Sequence, residues 1–242
     1  YPIEIIRCEN YGPAKKLLPA MQMFRESPET IIVTADDDMI YDKDWLKTLI
    51  LASKKYPQSV CTFSARHVQY EATGKLKNYL SFPKYYNNAN NSFNDLHPLI
   101  AIGNNGVLYK VKFFKDSFFD WEVQNKACPL GDDLWNSAHL INNNIPIYIV
   151  PSGSILNKEI FIPEKFRLWN KNKFGNDEQL KELQKLGYFY PKSRIYSIFF
   201  SRSDNFVFQS ILNSLWKISS ILRKNIPMYS ILLDKFKKRL SS

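Results

Sequence analysis

Short apolar runs rich in β-branched residues alternate along the chain with stretches of helical spacing, and that alternation predicts an α/β fold. Residues 3–6, 30–35, 60–63 and 146–150 read as strands. Helical patterns lie over residues 13–21 and 43–56, the first opening with Gly12 and Pro13, a turn followed by a favourable first helical residue. Further on, apolar runs flank Gly103-Asn104-Asn105-Gly106. The two glycines fit either a plain hairpin or a close backbone approach beside a ligand, with the Asn amides offering donors and acceptors. Leu134, Ala138 and Ile141 then recur at helical spacing, so a helix starts near Asp132 and Asp133. Between these elements, residues 75–97 form a long polar stretch centred on Asn87 to Asn91, of the kind that serves as an acceptor-side lid.

Run 30–35 stops abruptly at Asp36, Asp37 and Asp38. This puts three carboxylates at the carboxyl end of a strand, where open α/β sheets bind ligands. A polar turn capping the next helix accounts for one Asp, but Asp42 already stands at that position. Adjacent carboxylates repel one another unless a cation or hydrogen-bond donors neutralise them, and they are hard ligands suited to manganese or magnesium. Such ions are commonly held by one or two protein carboxylates plus substrate phosphates, so a nucleotide diphosphate is the expected ligand. Lys15 and Lys16, placed in the first turn of a helix beside its exposed amides, would make an anion pocket for it; two solvated lysines are the alternative. Asp132 and Asp133 form a second acidic pair, of which one could cap the helix. A transferase acting on a hydroxyl needs one carboxylate as general base and gains from a second that tunes it. His67 reads as a surface or hydrogen-bonded histidine rather than a catalyst.

The strand closed by Asp36-Asp37-Asp38 resembles the DxD signature of GT-A glycosyltransferases, and the longer Asp-Asp-Asp-Met-Ile-Tyr-Asp-Lys-Asp-Trp-Leu is similar to a bacterial family that builds capsule and lipopolysaccharide. Gly-Pro-Ala-Lys-Lys-Leu-Leu-Pro-Ala resembles that family's Lys-Lys-Leu-Ile-Pro-Ala segment, Asp132-Asp133-Leu134-Trp135 its Ala-Asp-Asp-Ile-Trp, and residues 174–179 its last segment. Val107-Leu108-Tyr109 matches Thr-Gly-x-Gly-Gly-Val-Leu-Tyr, whereas Asn104 and Asn105 depart from it and leave donor-sugar specificity open.

The resemblance implies a GT-A-like, Rossmann-like α/β domain over residues 1–190, with a mixed, mostly parallel sheet flanked by helices and a helical appendage over 191–242. It further implies an inverting hexosyltransferase using Mn2+ or Mg2+, with Asp38 and Asp36 on the metal. Lys16, Lys15, Asp36, Asp37, Asn104 and Asn105 would hold the donor, with Asp36 or Asp37 reaching the ribose. Asp133 is the implied base, with Asp132 beside it. The substrates would be a nucleotide-diphosphate sugar and a glycan or lipid-linked glycan acceptor. By comparison with the family, an N-terminal piece of the nucleotide-binding half is absent. The late histidine that often completes the metal site is missing as well, and Asn157 or water is its candidate replacement.

Composition narrows the alternatives. With 242 residues, 45% of them hydrophobic, the chain can form a real core. Cys8, Cys61 and Cys128 are odd in number and widely spaced, which suits reduced cytosolic thiols. No run reaches membrane-spanning length, and a cytoplasmic protein is expected. The net charge of +10 favours polyanionic partners, but the basic residues are dispersed or gathered at the tail, so nucleic acid is not expected. A metal-dependent nucleotidyltransferase would also cluster Asp residues, without requiring the later segments in this order. In the tail, Phe208, Ile211, Leu212, Leu215, Trp216 and Leu222 share a helical stripe, and a second stripe after Pro227 runs into Lys237-Lys238-Arg239. These stripes fit docking on the core or peripheral contact with an anionic membrane.

Overall fold

The computed structural model describes residues 3–71, 74–86, 98–151, 157–160 and 168–190, with only the backbone of 168–174. Two compact units divide the chain, one of residues 1–69 with 76–190 and one of residues 70–75 with 191–242. The tail and the Asn87 to Asn91 stretch lie outside the described residues.

In the first unit, strands β1 (Ile31–Thr34), β3 (Val60–Thr62), β7 (Val107–Lys110) and β8 (Ile147–Ile149) form a sheet in the order β1-β7-β3-β8. The β3–β8 pair is parallel, while β7 is antiparallel to both β1 and β3. Three strands therefore share one direction, yet only one of the three pairings is parallel. The sheet is mixed, and β7 is the reason it is not mostly parallel in its ladder. A second sheet, β5-β4-β6, joins Lys84–Tyr86, Ser64–His67 and Leu99–Ala101 in antiparallel pairs, and a ribbon pairs β2 (Met39–Ile40) with β9 (Lys158–Glu159). The glycines at 103 and 106 do not make a hairpin, because β6 and β7 belong to different sheets.

Helix α2 (Trp45–Lys55) covers the first sheet. Trp45, Leu49 and Ala52, spaced to share one face, pack with Cys61, Phe63, Leu108 and Val150. Leu49 is fully buried and contributes about 2 kcal/mol of transfer free energy. Asp44, not Asp42, occupies the cap position, and Asp42 Oδ1 instead accepts the Asp44 N–H at 2.9 Å. The run at residues 3–6 forms no strand: Ile3, Ile5 and Ile6 are exposed, since no ladder partner lies beside them among the described residues. Gly12–Lys16 is a 3₁₀ turn rather than the opening of an α-helix, and α1 (Leu18–Met23) follows it.

Gly106 marks the tightest point of the fold. Its φ of +93° is unfavourable for any residue with a Cβ, and a Cβ there would collide with the Trp45 ring. Trp45 is fixed in turn by its Nε1–H, which donates to Asn105 O at 2.7 Å. Gly106→Ala is expected to destabilise the protein by about 3 kcal/mol, from the backbone strain and the overpacking together, as read by denaturant unfolding. A loss below about 1 kcal/mol would show that the turn relaxes at little cost.

Candidate active site

Two acidic segments far apart in sequence meet at one lysine. Strand β1 delivers Asp36, Asp37 and Asp38 past its carboxyl end, and helix α4 (Asp132–Asn142), which follows the short α3 (Trp121–Ala127), carries Asp132 and Asp133 in its first turn. Lys16 Nζ, from the 3₁₀ turn, lies 2.5 Å from Asp36 Oδ1 and 3.9 Å from Asp132 Oδ2. Only 28%, 19% and 15% of the Lys16, Asp36 and Asp132 side chains are exposed, so the three charges interact with little screening by water. Burial by itself would lower the Lys16 ammonium, but Asp132, Asp133 and Asp36 outweigh it and hold the group above its ordinary value. In this structure Lys16 is thus a counter-ion to carboxylates. It closes the 3₁₀ turn directly ahead of Leu17, the N-cap of α1, rather than lying in the first turn of that helix, and Lys15 beside it is exposed.

Asp133 is held by the backbone. Both of its carboxylate oxygens accept from Gly103 N–H at 3.1 Å, and a Cβ on Gly103 would lie 2.9 Å from Asp133 Oδ1. Glycine is required there by close approach. Burial and then the neighbouring Asp132 push the Asp133 carboxyl up to about 7, against the pull of Lys16 and the Gly103 N–H. The Asp132 carboxyl is raised too, by burial first, with Lys16 opposing. Neither Asp caps the helix. Gly131 holds the cap position, while the Asp133 carboxylate turns to Gly103 and that of Asp132 accepts from backbone N–H groups of the first turn. Tyr109, fully enclosed on β7, completes the wall: burial and then Asp133 and Asp132 hold its phenol protonated well above the ordinary range.

The Asp36–Asp38 turn is tied to the Gly103–Asn105 turn by a residue to which the sequence alone assigned no role. Tyr41 Oη accepts the Asp36 N–H at 2.7 Å and donates to Asn104 O at 3.2 Å. Its only signal was an aromatic three residues beyond the acidic triplet. Asn104 and Asn105 bond each other, Nδ2 of Asn105 to Oδ1 of Asn104 at 3.1 Å, while their carbonyls serve Tyr41 and Trp45. Asn157 is a clip, accepting the Asp42 N–H through Oδ1 at 3.0 Å and donating from Nδ2 to Asn105 O at 3.4 Å. His67 is buried on β4 with Nδ1 3.0 Å from Gln69 Nε2, a hydrogen-bonded residue of the second sheet.

For a metal ion the donor chemistry is restrictive. Among the described residues no group of three or more His, Cys, Asp or Glu side chains is placed to hold a metal ion, so Asp36 and Asp38 offer hard oxygens for part of a coordination sphere only. That fits manganese or magnesium completed by phosphate oxygens, and does not fit a cage made wholly by these side chains. Asp37 is exposed, and Asp38 is half-buried, with its carbonyl accepting the Ile160 N–H at 2.7 Å.

Residues 1–118 match the family model described as Glycosyl transferase family 2. Over this segment the chain is similar to a family 2 glycosyltransferase domain. The match takes in Lys16, the Asp36–Asp38 cluster and the Gly103–Asn105 turn, and it ends before Asp132 and Asp133. No curated protein and no solved structure is significantly similar to the chain. Among the described residues no helix is long and apolar enough to cross a membrane.

Proposed function

We propose that the chain transfers a hexose or related sugar from a nucleotide-diphosphate donor to a hydroxyl of a cell-surface glycan precursor, with inversion at the anomeric carbon. One observation carries this reading: Lys16 joins the carboxylates that follow β1 to the dyad that opens α4, so a donor diphosphate and an acceptor hydroxyl can be served within one site. Asp133 takes the acceptor proton as the new oxygen–carbon bond forms and the bond to the diphosphate breaks. A single displacement of this kind inverts the centre. Gly103 N–H holds the carboxylate in place, burial and then Asp132 keep its affinity for protons high, and Lys16 offers positive charge to the departing diphosphate. Asp38 and Asp36 would hold a manganese or magnesium ion, which when bound neutralises part of the diphosphate charge. Asp37 and the Asn104–Asn105 amides are the remaining donor contacts, with Asp36 or Asp37 at the ribose and Lys15 at the rim.

Calorimetry tests the donor half. Nucleoside diphosphate is expected to bind in the presence of manganese and to lose at least tenfold in affinity on chelation or in Asp38→Ala. Binding that ignores both changes sinks the metal assignment.

We place the whole of residues 1–190 in the transferase domain, acting in the cytoplasm on a glycan or lipid-linked glycan, with the basic tail contacting anionic membrane. Deleting residues 206–242 is expected to release the protein from anionic vesicles while nucleotide binding stays unchanged. Equal vesicle binding by the shortened chain would dispose of that role.

A further inference from the structure

Residues 176–179, on helix α5 (Leu168–Lys185), play no part in the chemistry above, yet Asn176 and Gln179 are buried. Buried polar side chains are costly unless bonded, so their partners indicate what they do. Gln179 Oε1 accepts the Leu130 N–H at 2.9 Å, and its Nε2–H donates to Asn176 Oδ1 at 3.3 Å. Leu130 directly precedes Gly131, the cap of α4, and Gly131 is confined on two sides. A Cβ there would lie 2.8 Å from Cys128 Sγ and 3.2 Å from Gln179 Oε1. Two residues back along α5, Asp177 Oδ1 accepts the Tyr79 N–H at 2.6 Å. Tyr79 opens the 3₁₀ turn Tyr79–Ser81, and its phenol lies within electrostatic reach of Asp133.

Both bonds run to main-chain N–H groups, 49 and 98 residues away in sequence. An apolar residue at 179 could fill the same space, but only an acceptor fixes where the partner backbone lies. Resting on Asp133 as the base, we infer that Gln179 is a positioning residue that sets the first turn of α4 and with it the dyad. Asp177 ties the Tyr79 turn to the same helix.

The test compares Gln179→Met and Gln179→Glu in the full chain. For the Met variant, which keeps volume and loses the acceptor, amide exchange over residues 128–134 is expected to accelerate at least tenfold. Its kcat should fall at least tenfold while donor KM stays within twofold. The Glu variant still accepts the Leu130 N–H, so it should restore the exchange protection. Its added negative charge, next to Gly131 and so adjacent in sequence to Asp132, should move the acid limb of the kcat–pH profile upward. A folded Met variant with parental exchange or parental kcat overturns the inference, as does a Glu variant that leaves protection lost. If the Met variant does not fold, an unmoved acid limb in the Glu variant overturns it. Asp133→Asn run alongside keeps the two ideas separable. Full transfer there removes the base, whereas exchange over 128–134 reports on Gln179 whatever the chemistry.

Discussion

Replacing Asp133 with Asn is expected to lower turnover by about a thousandfold while donor affinity changes little, the usual scale for loss of a positioned general base. The amide oxygen of Asn can still accept the Gly103 N–H that both carboxylate oxygens share, so the turn between β6 and β7 and the start of α4 are kept. What disappears is the capacity to take a proton. Because burial and Asp132 push the parent carboxyl up to about 7, the parent rate should rise with pH through that value and the variant should lose the limb. The sign for stability runs the other way. A carboxyl whose folded pKa lies above its unfolded value contributes stability that is complete below about pH 4 and is lost as pH rises through 7. The variant should therefore show a flatter dependence of melting temperature on pH across that window, and greater stability than the parent at pH 8. Pre-steady-state turnover and thermal melts over about pH 4 to 9 read both effects. Full transfer activity in the variant, or an acid limb that survives the substitution, would remove Asp133 from its role.

Lys16→Met carries the second large expectation: a loss of about 3 kcal/mol of folding stability at pH 8, shrinking to about 1 kcal/mol or less at pH 5. Met keeps most of the stem packing, so the loss isolates the charge. Without the ammonium, Asp36, Asp132 and Asp133 face one another largely out of water with no cation among them. Protonation relieves that repulsion, and the dyad, already raised by burial, takes up protons first as pH falls. Lys16 itself remains charged throughout this window in the parent, since its pKa is raised and its own contribution is lost only in alkali. Urea unfolding at the two pH values decides the matter. An equal loss at both would trace the effect to packing rather than charge, and nucleotide-diphosphate affinity equal to that of the parent would separate Lys16 from the donor.

The strand at 31–34, its abrupt end in three carboxylates, helix α2 and the strands at 60–62 and 147–149 were legible because each is written locally, in an apolar run, a periodic face or a change of residue class. Their boundaries shifted by a residue or two, since end residues fray according to neighbours that a local pattern does not contain. Residues 3–6 carry the same kind of apolar run and still form no strand, for strand formation needs a ladder partner as well as a propensity. The candidate residues themselves were also legible, as acidic pairs beside elements that end or begin.

Tertiary structure alone decided what those residues do to one another. Gly103 and Asp133 stand 30 positions apart, and they meet because the chain leaves β6 in one sheet and enters β7 in another, turning its backbone N–H toward α4 at the crossing. Lys16 reads as a member of an anion pocket when its helix position is inferred locally. It becomes the counter-ion of Asp36 and Asp132 only once a 3₁₀ turn replaces the first α-helical turn and the two acidic segments close around it. Local patterns encode which groups are present and roughly which element bears them. The protonation state of Asp133 depends instead on how much water the fold excludes and which charges it brings within a few ångströms, and those are properties of the packed chain.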